Sequence, residues 1–103
     1  MELIKVKKIE IIITATFVRK TLDILTELNV SGYTEIDVVK GKGTRSGEVF
    51  DKGNIPVYKN AFIVIVCSPD KASQVIEKLD DMIQKNGGLL LISDVETTSK
   101  DLR

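Results

Sequence analysis

The 103-residue chain carries fifteen basic and fifteen acidic residues and no histidine, so it has no net positive field to gather nucleic acid, and such binding would need a local basic patch. Its length suits one small domain with a single core, for which oligomerisation would add stability. The longest apolar runs, Ile11 to Ile13 and Leu89 to Ile92, are too short to span a bilayer, no secretory signal opens the chain, and a lone cysteine, Cys67, suits a reducing compartment; a soluble cytoplasmic protein is therefore expected.

Lys5 to Thr14 reads as a strand, because Ile9, Ile11 and Ile13 alternate with Lys8, Glu10 and Ile12, and Ile12 makes the second face partly apolar too. From Phe17 to Leu28 the period changes to that of a helix: Val18, Leu22, Leu25 and Leu28 recur at spacings of three and four, with Thr14 or Thr16 as the expected cap. Asn29 and Gly32 bracket the exit, and Tyr33 to Lys40 forms a second strand. Val57 to Cys67 is a third, apolar on both faces as a central strand would be. Ser68-Pro69-Asp70 is the sharpest boundary in the chain, with Ser68 suited to the N-cap, Pro69 to the first helical position and Asp70 to the positive end of the helix dipole. Ala72, Val75, Ile76, Leu79, Met82 and Ile83 form the stripe of that helix, and Asn86-Gly87-Gly88 ends it. A last strand begins at Leu89, and the chain turns polar from Ser93 into a tail. Two βαβ halves in this order predict an α+β, ferredoxin-like βαββαβ sandwich, an antiparallel sheet with both helices on one face.

Between the second and third strands stands Gly41-Lys42-Gly43-Thr44-Arg45-Ser46-Gly47. Three glycines allow positive φ and close approach of backbone N–H groups, while Lys42, Thr44 and Arg45 donate to anionic oxygens, which is the chemistry of a phosphate cradle. An ordinary exposed hairpin has the same composition. The segment from Thr44 to Val57 is irregular and reads as a mobile loop. Gly87-Gly88 serves first as a helix C-cap. In a trimer, however, the two glycine regions could come from neighbouring subunits and close on one ligand, with Lys100 and Arg103 of the tail either in reach of a phosphate or simply a solvated basic end.

Catalysis and metal binding find little support. The chain lacks histidine, Cys67 ends an apolar strand and reads as an inert buried thiol, and no serine stands in a nucleophile elbow. Asp80 and Asp81 are neighbours on a helix and face about 100° apart, unlike a shared acid–base pair. Asp94 and Glu96 are the only clustered hard ligands, and no metal site is expected. An acylphosphatase-like enzyme would need an Arg-bearing phosphate loop after the first strand, where Thr14-Ala15-Thr16 offers no glycine cradle.

Lys7-Lys8-Ile9-Glu10-Ile11-Ile12-Ile13, the helix from Phe17 to Leu28, Asn29-Val30-Ser31-Gly32-Tyr33-Thr34 and Gly41-Lys42-Gly43 resemble, in order and spacing, the first half of PII signal-transduction proteins. Gly88-Leu89-Leu90-Leu91-Ile92-Ser93-Asp94-Val95-Glu96 resembles the final strand of that family, so the likeness covers nearly the whole chain. The resemblance implies a non-enzymatic sensor, a homotrimer binding an adenine nucleotide (AMP, ADP, ATP or cyclic AMP) in clefts between subunits. Its loop would respond to the ligand and dock on a membrane transporter or metabolic enzyme, with recruitment to the membrane through a transporter. By position, Ile12 and Thr34 would contact the adenine side, Gly41, Lys42, Gly43, Thr44 and Arg45 the phosphates, Gly87 and Gly88 the facing wall, and Lys100 a phosphate. The chain departs from the family in its shorter Thr44 to Val57 segment, which lacks the modifiable tyrosine, and in Gly87-Gly88 being followed by Leu89 where the family has a lysine. The short loop is closer to divergent PII-like proteins that bind AMP, ADP or cyclic AMP. A regulatory module of the same fold that binds an amino acid or bicarbonate is the alternative.

Overall fold

The computed structural model describes residues 1–39 and 60–102. In chain order these form β1 (Ile4–Thr14), a 3-10 turn (Ala15–Phe17), α1 (Val18–Glu27), β2 (Thr34–Val39), β3 (Asn60–Cys67), α2 (Pro69–Asn86), β4 (Leu89–Thr97) and a second 3-10 turn (Lys100–Leu102). The strands lie in the order β2-β3-β1-β4, and each neighbouring pair is antiparallel. The two strands with the longest apolar patterns therefore take the centre, and the more polar β2 and β4 form the edges. This is the ferredoxin-like α+β arrangement.

Alternation along β1 and β3 decides where the core sits. Ile9, Ile11 and Ile13 of β1 and Ala61, Ile63, Ile65 and Cys67 of β3 are buried on one face, where they pack with Leu25 of α1 and Ala72, Val75, Leu79, Met82 and Ile83 of α2. The intervening residues Ile12, Phe62, Val64 and Val66 are only half-buried, because no helix covers their face.

Local chemistry sets the helix ends. In α2 the Ser68 hydroxyl accepts from the Lys71 amide at 3.2 Å, Pro69 opens the first turn, and the Gly87 amide donates to the Ile83 carbonyl at 2.9 Å. Asn29, at φ 58°, takes the left-handed conformation after α1. There the Val30 amide donates to Leu25 and the Asn29 amide to Thr26, both at 3.0 Å, a Schellman closure with Val30 packed on the core. The Lys71 ammonium donates to the Leu28 carbonyl and so ties α2 to this turn.

Two boundaries and one buried residue differ from the sequence reading. The chain enters α1 through a 3-10 turn, Phe17 is the N-cap of α1, and neither Phe17 nor Thr14 makes a side-chain cap bond, so Thr14 and Thr16 do not cap the helix. Thr21 joins Leu25 as a fully buried residue of α1; its hydroxyl donates to the Phe17 carbonyl at 2.9 Å, which removes the penalty for burying it. The last strand continues past Ser93 to Thr97, because β1 offers partners along its whole length: Lys7 stands opposite Asp94 and forms an ion pair with it at 2.5 Å, and Lys5 stands opposite Glu96. An edge strand can be held by such polar cross-strand pairs without an apolar run.

Candidate functional site

The register assembles one end of the sheet from four strand termini. Val39 of β2 is opposite Asn60 of β3, and Asn60 is opposite Thr14 of β1, while Ile12 of β1 is opposite Leu89, the first residue of β4. A register shift between Ile36 and Val39 distorts β2 as it reaches this end. Residues 40 to 59 join β2 to β3 here. Gly41, Lys42, Gly43, Thr44 and Arg45, the Thr44 to Val57 loop and Tyr58 all lie outside the described residues.

Gly87 and Gly88 belong to the same end. Both have positive φ, 83° and 116°, a conformation that glycine adopts without the steric penalty other residues meet. They differ in surroundings. A Cβ built on Gly87 would meet nothing within 4 Å, whereas one on Gly88 would lie 2.6 Å from the Ile12 carbonyl oxygen, 3.0 Å from Ile83 Cδ1 and 3.2 Å from Ile13 Cγ2. The Gly87 amide is already committed to the Ile83 carbonyl, so this residue offers a ligand open space rather than a hydrogen bond.

Ile12 and Thr34 share the helix-free face. Across it runs a row Ile36, Phe62, Ile12 and Leu89, and beside it a row Thr34, Val64, Glu10 and Leu91. Ile12 and Thr34 stand two strands and two residues apart, roughly 12 Å by ordinary sheet spacings, with Phe62 and Val64 between them. Thr34, Ile36, Leu89 and Leu91 are exposed. Sequence reasoning did not name Phe62, Leu89, Leu91 or Ile36 as parts of this surface, although the two-faced apolar pattern of β3 and the odd placement of Ile12 already signalled it.

Lys100 lies elsewhere. It begins the second 3-10 turn, beyond Thr97, which pairs with Ile4 at the far end of β1. Thr97 is eight residue steps along β4 from Leu89, about 27 Å of extended chain. In one chain the near end (Ile12, Gly87, Gly88) and the turn that begins at Lys100 thus stand at opposite ends of β4.

A depression of about 510 Å³ at the far end of β1 is lined by Lys5, Val6, Lys7, Pro69, Asp94, Val95 and Glu96, but its lysines and carboxylates alternate in sign across the strands and Lys7 is already paired with Asp94, so it is a solvated charge ladder. Asp80 accepts from the Gln84 amide at 3.3 Å while Asp81 pairs with Lys85 at 3.1 Å, and the two carboxylates have no common partner. Burial pushes the Cys67 thiol up, against a smaller downward pull from the Lys71 charge. The Glu35 carboxyl is also raised, first by its hydrogen bond with the Asp37 carboxyl, then by burial and by the Asp37 charge. Among the described residues no three His, Cys, Asp or Glu side chains gather as a metal site, and no helix is long and apolar enough to cross a membrane.

Sheet order, helix placement and the glycine-flanked end of the sheet define a ferredoxin-like α+β protein with an open, apolar sheet face. The sequence model of the family described as nitrogen regulatory protein P-II matches residues 6–101. The chain belongs to that family and is a PII-like regulatory protein. No curated protein sequence matches it significantly. Solved structures place it beside CPII from Thiomonas intermedia K12. The form bound to ADP and bicarbonate is 19% identical with a TM-score of 0.80, covering 95% of this chain and 93% of that one. The form bound to ADP, AMP and acetate is 19% identical with a TM-score of 0.82, covering 96% and 94%. The GlnK–ATP complex of B. subtilis is 21% identical with a TM-score of 0.64, covering 88% and 82%.

Proposed function

We propose that this chain is a non-enzymatic sensor that works as a homotrimer, binds an adenine nucleotide in clefts between its subunits, and controls a membrane transporter or metabolic enzyme. The observation that carries this reading is the separation of the candidate residues. Ile12, Gly87 and Gly88 stand at one end of the sheet, while Lys100 follows Thr97, which is about 27 Å of strand from Leu89; a second copy that brings its far end to the first copy's near end would let them serve one ligand. The apolar rows of the helix-free face supply the surface on which copies would meet. The family membership and the adenine nucleotides bound by CPII and GlnK support the ligand class.

In that assembly Ile12 and Thr34 flank the adenine, Gly41, Lys42, Gly43, Thr44 and Arg45 hold the phosphates, Gly87 leaves room beside them, and Lys100 of the neighbouring copy supplies a cation. The segment from Thr44 to Val57 is the responsive element. A nucleotide shifts it only to the extent that it binds its two states differently, and by linkage the docked target changes nucleotide affinity by the same factor. Gly88 is followed by Leu89, an apolar residue where a lysine would add a phosphate contact, which favours mono- and diphosphates over triphosphate with Mg²⁺. The protein acts in the cytoplasm and reaches the membrane through a transporter target.

Isothermal titration with AMP, ADP, ATP and cyclic AMP, each with and without Mg²⁺, tests the reading. Saturable binding near one ligand per chain supports it, and absence of heat with all four removes the nucleotide. Because one CPII structure contains bicarbonate with ADP, the titration is repeated with bicarbonate; binding of bicarbonate alone favours the non-nucleotide regulatory module.

A further inference from the structure

Building on the nucleotide-sensor reading, we infer that Gly88 is a positioning residue for Ile12: its missing side chain lets the start of β4 lie against the Ile12 carbonyl, which sets how closely the α2–β4 turn stands to Ile12 in the cleft. The two glycines of the turn separate the roles. A side chain on Gly87 would enter open space, while one on Gly88 would strike the Ile12 main chain at 2.6 Å. Ordinary contact begins at 3.4 Å, so the strand start would have to withdraw by about 0.8 Å. The obstacle is backbone, not the tip of a flexible side chain, and rotamer changes cannot relieve it. Leu89 is the cross-strand partner of Ile12, so a withdrawal at Gly88 pulls directly on the pair that would line the ligand.

The test compares Gly88→Ala with Val75→Ala, a cavity-forming change in the fully buried part of α2, which lowers stability without reaching the cleft. With ADP as probe, wild type is expected to bind, Val75→Ala to stay within about twofold of it, and Gly88→Ala to bind at least about tenfold more weakly. Adding Ile83→Val to Gly88→Ala removes only the 3.0 Å contact and is expected to restore nothing. Ile12→Ala combined with Gly88→Ala is expected to weaken binding no further than the worse single change, since one acts through the other. ADP affinity retained within about threefold in folded Gly88→Ala, rescue by Ile83→Val, or additive loss in the double variant overturns the proposal. Should Gly88→Ala not fold, ¹⁵N NMR of wild type decides: ADP must shift the amides of Ile12, Gly88 and Leu89 together, and still amides at all three refute it. If wild type binds no adenine nucleotide, the sensor reading itself fails and the role of Gly88 falls with it; if wild type binds and Gly88→Ala binds equally, only the role of Gly88 is lost.

Discussion

Replacing Leu91 by lysine tests whether the helix-free face is where copies meet. Leu91 is 44% exposed in the single chain and stands opposite Glu10, so in an isolated subunit Leu91→Lys places an ammonium where it can pair with a carboxylate across the strands, and the fold should be retained. Fully burying a leucine is worth about 1.5–3 kcal/mol, so covering the exposed 44% contributes about 0.7–1.3 kcal/mol per subunit. Applied to the exposed fractions of Ile36 (53%), Leu89 (49%) and Leu91 (44%), the same scale gives about 2–4 kcal/mol per chain. The substitution removes the Leu91 share three times in a trimer and adds the desolvation of three ammonium groups, several kcal/mol each in a closed interface. At about 1.4 kcal/mol per tenfold, the association constant should fall by several orders of magnitude. Sedimentation velocity with light scattering at micromolar concentration reads this directly: wild type near the mass of three 11.4 kDa chains and the variant near one, with unchanged far-UV circular dichroism. A variant as trimeric as wild type, or a monomeric wild type, refutes the reasoning.

Leu79→Ala, at a fully buried position of α2, should cost about 2–5 kcal/mol in urea unfolding at fixed protein concentration, and a loss under about 1 kcal/mol would show that α2 is not packed as described. Ser68→Ala should cost about 0.5–2 kcal/mol by releasing the Lys71 amide, with hydrogen exchange at Lys71 accelerated; an unchanged exchange rate would deny the cap. Glu35 binds its proton more tightly folded than unfolded, so its contribution to stability is full below the ordinary carboxylate range and is lost as pH rises through the raised value. Glu35→Gln, whose amide donates to Asp37 at every pH, should raise the melting temperature at neutral pH, with the difference closing towards about pH 4; a lower melting temperature at neutral pH would contradict this. Cys67, 5% exposed with a raised thiol, should react with an aromatic disulfide reagent only after denaturant is added, and rapid native labelling would count against its burial.

What the sequence by itself determined was whatever local chemistry decides. Ser68, Pro69 and Gly87 mark the ends of α2 because caps are satisfied within a turn of the helix, and Asn29 marks the exit of α1 for the same reason. Alternation marked β1 as a strand, apolar residues on both faces marked β3 as a central one, and the order of strands and helices revealed the sandwich. The candidate ligand residues were readable as residue types, glycines beside cations, and as a family resemblance, but not as a place. The resemblance carried the last strand to Glu96, but only the tertiary structure showed what holds its polar half, Lys7 on another strand. It likewise decided that Thr21 is buried in a helix where sequence favours leucines. The register alone put Ile12 and Thr34 on one face and sent Lys100 to the opposite end of the sheet. It also told Gly88 from Gly87, two identical residues of which one touches β1 and the other open space. For the strand, the shared face and the glycine the physical reason is the same: pairing and close approach depend on partners dozens of residues away, whose position no local pattern encodes.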